Sequence, residues 1–160
     1  MELSTKIANR FREVLLNGRW VTNTNFKEQL TNTTLEQATH QISSINTIAL
    51  ITFHINYYIA GVNHFFETGK LEISDKYSFD APPINSEEDW RNLTNELFTN
   101  SEKFAAHVER MSNEKLEDVF FDEKYGSYLR NIEGMIEHCY YHLGQVTMIR
   151  KMLLEQKIGV

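Results

Sequence analysis

Cysteine is almost missing from this sequence. The single Cys139 excludes an internal disulfide framework and any metal site built from clustered thiolates. Proline and glycine are scarce as well. Two prolines and seven glycines in 160 residues argue against a many-turn all-β fold. Long apolar runs are absent. The longest candidate, Ile45 to Phe66, is interrupted by Asn46, Thr52, His54, Asn56, Asn63 and His64, whereas a membrane span needs roughly 20 apolar residues. There is no basic excess: 16 Lys and Arg against 22 Asp and Glu leave a net charge of −6. A general nucleic-acid binder normally shows the opposite balance. The opening MELSTKIANRF lacks the basic patch and apolar stretch of a secretory signal. With one cysteine, this fits a reducing, cytoplasmic location. What remains is ordinary for a folded chain, 41% hydrophobic and 24% charged. The length is that of one domain, so a single domain over residues 1–160 is expected.

Four segments carry helical periodicity. In the first, from Glu2 to Leu16, the residues Leu3, Ile7, Phe11 and Val14 share one face, and Asn17-Gly18 supplies a C-cap. Residues 17–33 read as a connector whose Trp20, Phe26 and Leu30 pack against the domain. Thr33-Thr34-Leu35-Glu36-Gln37 has the capping-box pattern, a hydroxyl followed three residues on by Glu or Gln, and opens a second helix, with a bend near Ser43-Ser44. From Ile48 its apolar positions Ile51, Ile55, Tyr58, Val62 and Phe65 alternate in steps of three and four, and Gly69 ends it. Pro82-Pro83 keeps the following stretch, 69–85, non-helical. Ser86 then caps a third helix that buries Trp90, Leu93, Leu97, Phe104 and Val108, with Ser101 as a polar interruption. A short helical turn falls within Met111 to Leu116, and Val119-Phe120-Phe121 reads as extended chain over a helix. The fourth helix, Ser127 to Gln156, buries Leu129, Ile132, Ile136, Cys139, Leu143 and Val146. Its Gly134 and Gly144 would permit close approach of a neighbour. The pattern predicts an all-α fold, a four-helix bundle with long connectors crossing at about 20°.

The chemistry concentrates in His138-Cys139-Tyr140-Tyr141-His142. Histidines at i and i+4 lie one turn apart and about 40° around the axis, so both imidazoles can reach one metal ion. They sit at the edge of the apolar arc of Met135, Cys139, Leu143 and Val146, and so point partly inward. Buried histidines without partners are costly, and His54, in the most apolar part of the second helix, offers a third inward-facing ring. Gln145 shares the stripe of the pair, where it could orient a ligand or a bound water, or cap the polar end of the core. Glu137 lies about 100° away from His138 and is not a ligand. Cys139 falls mid-seam, where a thiol is inert. His40, His64 and His107 lack partners at ligand spacing and read as surface or edge residues. Tyr58 reads as core packing, and Tyr141 as outward-facing.

These motifs resemble the DinB-like (DinB/YfiT) metalloenzyme family. Ile136 to Val146 is similar to the family's last-helix signature, and Ile48 to Tyr58, one His followed by Ile-Asn-Tyr-Tyr, to its other motif. The order of helices, with the Trp-containing connector between the first two, extends the resemblance over nearly the whole chain. It implies a divalent metal held by His54, His138 and His142; zinc and nickel both suit imidazole. Members of the family include S-transferases that use a low-molecular-weight thiol of the bacillithiol kind, thiol-dependent isomerases and many without a known activity, and homodimers are common among them.

Three neutral imidazoles leave a divalent ion with open positions, as in catalytic sites. A metal can deprotonate a coordinating thiol, and the thiolate is the attacking species. The first expectation is thus transfer of a small thiol onto an electrophile, in a stress or detoxification setting. Metal-dependent hydrolysis is the alternative. It ranks second because no Asp or Glu lies on the histidine stripes to serve as general base. A third reading is a non-catalytic dimeric binding or stress-response protein whose metal ties helices together. Arg130, Lys151, Arg19 and Lys27 are unranked candidates for holding substrate carboxylates. Neither nucleic acid nor membrane is expected as a partner.

Overall fold

A computed structural model describes residues 2–156. The described residues are helical, with no strand beyond an isolated antiparallel bridge between Val119 and Ser127. Helix α1 (Leu3–Arg12) continues into a π-helical turn, Glu13–Asn17. Ile7, Phe11 and Val14 are buried as their spacing predicts, but Leu3, at the helix start, stays exposed.

The connector holds a short helix, α2 (Phe26–Thr31), capped by the Asn25 side chain, which accepts from Glu28 N–H. Phe26 and Leu30 are fully buried there. Trp20 departs from the expectation. It is 77% exposed, while Phe26 and Leu30 of the same connector are buried. A tight turn carries Trp20 outward, closed by Asn23 N–H donating to Arg19 C=O at 2.7 Å, with Val21 and Asn23 in the left-handed region.

The Thr34–Gln37 capping box forms, but its helix α3 (Leu35–Thr39) is short. Residues 40–47 are non-helical, with Ser43 at φ 52°. The expected bend is therefore a break. The next helix, α4 (Ile48–Thr68), starts afresh with the Thr47 hydroxyl accepting from Leu50 N–H. Gly69 closes it at φ 72°, a conformation that costs glycine little. The segment after it folds back onto α4 through a 3₁₀ turn, Asp75–Tyr77. The Tyr57 phenol both donates to Ser74 C=O (3.1 Å) and accepts from Ser74 N–H (3.0 Å). Gly61 makes this return possible, since a Cβ there would collide with the Ile73 side chain.

Helix α5 (Glu87–Glu109) opens with a capping box of Ser86 and Asp89, and its predicted stripe is buried. The Ser101 hydroxyl is satisfied by donating to Leu97 C=O at 2.6 Å, and Trp90 Nε1–H donates to Thr33 C=O at 3.0 Å. After the short α6 (Asn113–Glu117), Phe120 is buried between exposed Val119 and Phe121, the alternation of extended chain. Helix α7 (Tyr128–Gln156) completes the fold. Helices α1 and α4 each pack against both α5 and α7 around a continuous apolar core. Gly134 and Gly144 do not mediate close approach. A Cβ at Gly134 would meet the Arg130 guanidinium at 3.9 Å, and nothing described lies within 4 Å of one at Gly144. No helix among the described residues is long and apolar enough to cross a membrane.

Candidate metal centre

Packing of α4 on α7 brings the three histidines together. His54 lies mid-helix on α4, one turn from Tyr58. His138 and His142 lie one turn apart on α7. His54 and His142 are buried and His138 is partly so. His138 Nε2 is 3.1 Å from His54 Nε2 and 2.9 Å from His142 Nε2. One nitrogen from each ring lies within 4.8 Å of the others, close enough to hold one metal ion.

The outer nitrogens set the tautomers. His54 Nδ1 is 3.2 Å from Ser78 C=O, which only accepts, so Nδ1 carries the proton and Nε2 a lone pair. His142 Nδ1 is 2.7 Å from Gln145 Oε1, with the same consequence. Gln145 is held in turn by donating through Nε2 to the Tyr141 hydroxyl at 3.1 Å. Of its two readings, Gln145 thus takes the one that fixes a histidine. Tyr141 is exposed, as expected, but its hydroxyl belongs to this chain of bonds. His138 Nε2 faces two acceptor nitrogens with one hydrogen to offer, so one of the two close contacts has no hydrogen directed along it. A cation resolves that conflict. Ligands about 2.1 Å from a common ion, at angles between octahedral and tetrahedral, stand roughly 3.0–3.4 Å apart. The two separations from His138, 3.1 and 2.9 Å, suit such a donor set, and the His54 and His142 nitrogens lie within 4.8 Å of each other.

Burial keeps the rings neutral. It is the first cause lowering the pKa of all three histidines, and for His138, with His142 and His54 adding to it, the value falls to about 4. Neutral imidazole is the form that binds metal.

The segment 69–85 contributes more than its composition suggests. Phe79 stacks on His54, centroids 3.9 Å apart and planes 9° from parallel, and covers one side of the cluster. Tyr58 meets His54 and His138 edge-on. Its phenol donates to Asp75 Oδ1 at 2.7 Å. Burial first, then Asp75, raises the phenol's pKa and keeps it protonated. Asp75, Ser78 and Phe79 are absent from the sequence reading. An aromatic pair, Tyr77 and Phe79, in a stretch of mixed polarity is their one trace there.

On the solvent side, a cavity of about 470 Å³ opens over His138, lined among others by Tyr58, Lys124, Arg130, Gly134 and Met135. Arg130 alone of the four candidate cations lines it. Arg19 is tied to Glu28 at 2.7 Å, Lys27 lies beside Phe98, and Lys151 borders a separate groove. Glu137 is exposed and reaches Arg130 at 3.4 Å, away from the rings. Cys139 is wholly buried, and burial raises its thiol pKa far above the ordinary range, so it is no nucleophile. His40 is exposed, His64 pairs with Glu72 (2.9 Å), and His107 lies 3.7 Å from Glu67.

The molecule is an all-helical protein with a buried three-histidine cluster able to hold a metal ion. No family model, curated protein or solved structure matches the chain.

Proposed function

We propose that this is a DinB-like metal-dependent enzyme that transfers a low-molecular-weight thiol of the bacillithiol kind onto an electrophile. On this reading α1, α4, α5 and α7 form the family's four-helix bundle, the active form is a cytoplasmic homodimer, and the metal is zinc or nickel, both suited to imidazole. The observation that carries it is the crowding of three imidazole nitrogens, two of them oriented from behind by hydrogen bonds, beside an open cavity. A bound divalent ion would supply Lewis acidity, lowering the pKa of a coordinating thiol. His54, His138 and His142 hold the ion. Ser78 C=O and Gln145 aim two of the rings. Phe79 excludes water from one side, and Met135 and Tyr58 wall the space where an electrophile lies.

Elemental analysis tests the site. His54→Ala, His138→Ala and His142→Ala each abolish stoichiometric metal uptake, while His64→Ala leaves it intact; equal metal in all four variants refutes the assignment. Titrating a small thiol into the cobalt-loaded protein tests the chemistry, with a sulfur-to-metal charge-transfer band as the expected result. A protein that metal stabilises, without such a band and without turnover, is the non-catalytic binding protein instead.

Hydrolysis remains a second reading because of one observation. Asp75 does not line the cavity, but it accepts from the Tyr58 phenol that does, and so brings the carboxylate that the histidine stripes lack within one hydrogen bond of it. Hydrolysis of an ester probe by the metal-loaded protein, lost in Asp75→Asn, would favour it.

A further inference from the structure

The cavity over His138 runs against the composition of the chain. The protein carries a net charge of −6, yet the described residues lining this cavity include Lys124 and Arg130 and no carboxylate. The two cations reach it from different segments. Lys124 sits in the 3₁₀ turn Glu123–Tyr125, and Arg130 lies in the first turn of α7. Asn131 locks one to the other, its Nδ2 donating to Tyr125 C=O and to Ser127 C=O, each at 2.8 Å. Neither cation is committed to a strong partner here. Lys124 lies over the Tyr125 ring, 4.8 Å from its centroid. Arg130 makes one long contact with Glu137, 3.4 Å, with both side chains about two-thirds exposed. A ligand carboxylate can displace that contact.

Gly134 is the second, independent observation. Glycine inside a helix lowers stability and needs a reason. Packing supplies none, since a Cβ would make only an ordinary 3.9 Å contact with the Arg130 guanidinium. What the missing side chain leaves is space in the cavity between His138 and the two cations. The volume of about 470 Å³ is that of a small-ligand site.

We propose that this cavity takes a carboxylate-bearing ligand, its anionic end held by Arg130 and Lys124 and its donor atom directed toward His138. The proposal rests on the reading of the three histidines as a metal centre and adds the charge of the ligand and the residues that select it.

Three probes separate the parts: mercaptosuccinate, a thiol with two carboxylates; 2-mercaptoethanol, a neutral thiol; and succinate, which has no thiol. Calorimetry and the cobalt charge-transfer band are read on the full chain. Mercaptosuccinate binds the cobalt-loaded protein about tenfold or more tightly than 2-mercaptoethanol. Lys124→Gln and Arg130→Gln each reduce that advantage about threefold to tenfold, as expected for charge-assisted but partly exposed contacts. The double variant removes it, while cobalt content and thermal melting stay at wild-type values. Gly134→Leu, which fills the cavity, weakens both thiols. Equal affinity of the two thiols for the wild type, or an advantage that survives the double substitution, overturns the anion site. If neither thiol produces a band while succinate still binds and responds to the double substitution, the anion site stands and the thiol chemistry falls. If none of the three probes binds, both fall.

Discussion

Replacing His138 by leucine distinguishes a metal centre from a cluster of histidines kept for structure. In the metal-free protein His138 Nε2 faces two acceptor nitrogens at 2.9 and 3.1 Å and can satisfy one of them. Removing the ring loses one hydrogen bond, worth about 1 kcal/mol, and relieves one close nitrogen–nitrogen contact that has no hydrogen of its own. The two roughly cancel, so metal-free His138→Leu at pH 7 lies within about 1 kcal/mol of the parent. The pH response is the sharper signature. The folded chain holds His138 near pKa 4 against an ordinary value of 6.5. Between those values the unfolded chain binds more protons, so stability falls as pH drops through 6.5 and levels off near 4, with no contribution well above 6.5. At pH 5 the full shift would cost about 2 kcal/mol. Partial contact of the ring with solvent reduces this to about 1 kcal/mol. Urea unfolding of the metal-stripped proteins at pH 7 and pH 5, followed by circular dichroism, measures it. The parent should lose about 1–2 kcal/mol more than His138→Leu between the two pH values. Zinc at 100 times its dissociation constant should then stabilise the parent by about 2.7 kcal/mol and the variant not at all. A variant that loses more than about 3 kcal/mol at pH 7, in a protein that zinc does not stabilise, would mean that the histidines form a structural hydrogen-bonded cluster.

Two further outcomes test the frame around the site. Gln145→Leu should weaken metal affinity by about 10–100-fold by releasing the His142 ring, with little change in the metal-free melting curve; competition with a chelating dye measures it. Phe104→Ala should cost about 3–5 kcal/mol, because the ring is buried against Phe11 at a centroid distance of 4.3 Å; chemical denaturation reads the loss, and a cost under 1 kcal/mol would show that this part of the core is loosely packed.

Helix ends and buried stripes were legible because neighbours within four residues decide them. The capping pattern at residues 33–37, the cap at Ser86, the stop at Gly69 and most of the faces of α4, α5 and α7 form where the spacing puts them, whereas Leu129 is only partly buried and Tyr58 lines the cavity in place of the core. The break over 40–47 was not legible, since it depends on where α3 and α4 each find a packing partner. Trp20 misled as well. Its size suggests burial, but the turn closed between Arg19 and Asn23 carries it outward. Within the site, the i, i+4 spacing of His138 and His142, and Gln145 three residues on, could be read from one helix.

The amino-acid sequence alone determined the helices, their buried faces and which three imidazoles turn inward, because each follows from residue type at short spacing. Only the tertiary structure decided that the rings meet at 2.9 and 3.1 Å, that Ser78 and Gln145 set their tautomers, and that Phe79, Asp75 and Lys124 surround them. Apart from Gln145, three residues from His142, those groups come from separate segments of the chain. Their proximity is a product of how α4, α7 and the returning loop pack, which no local pattern of residues encodes.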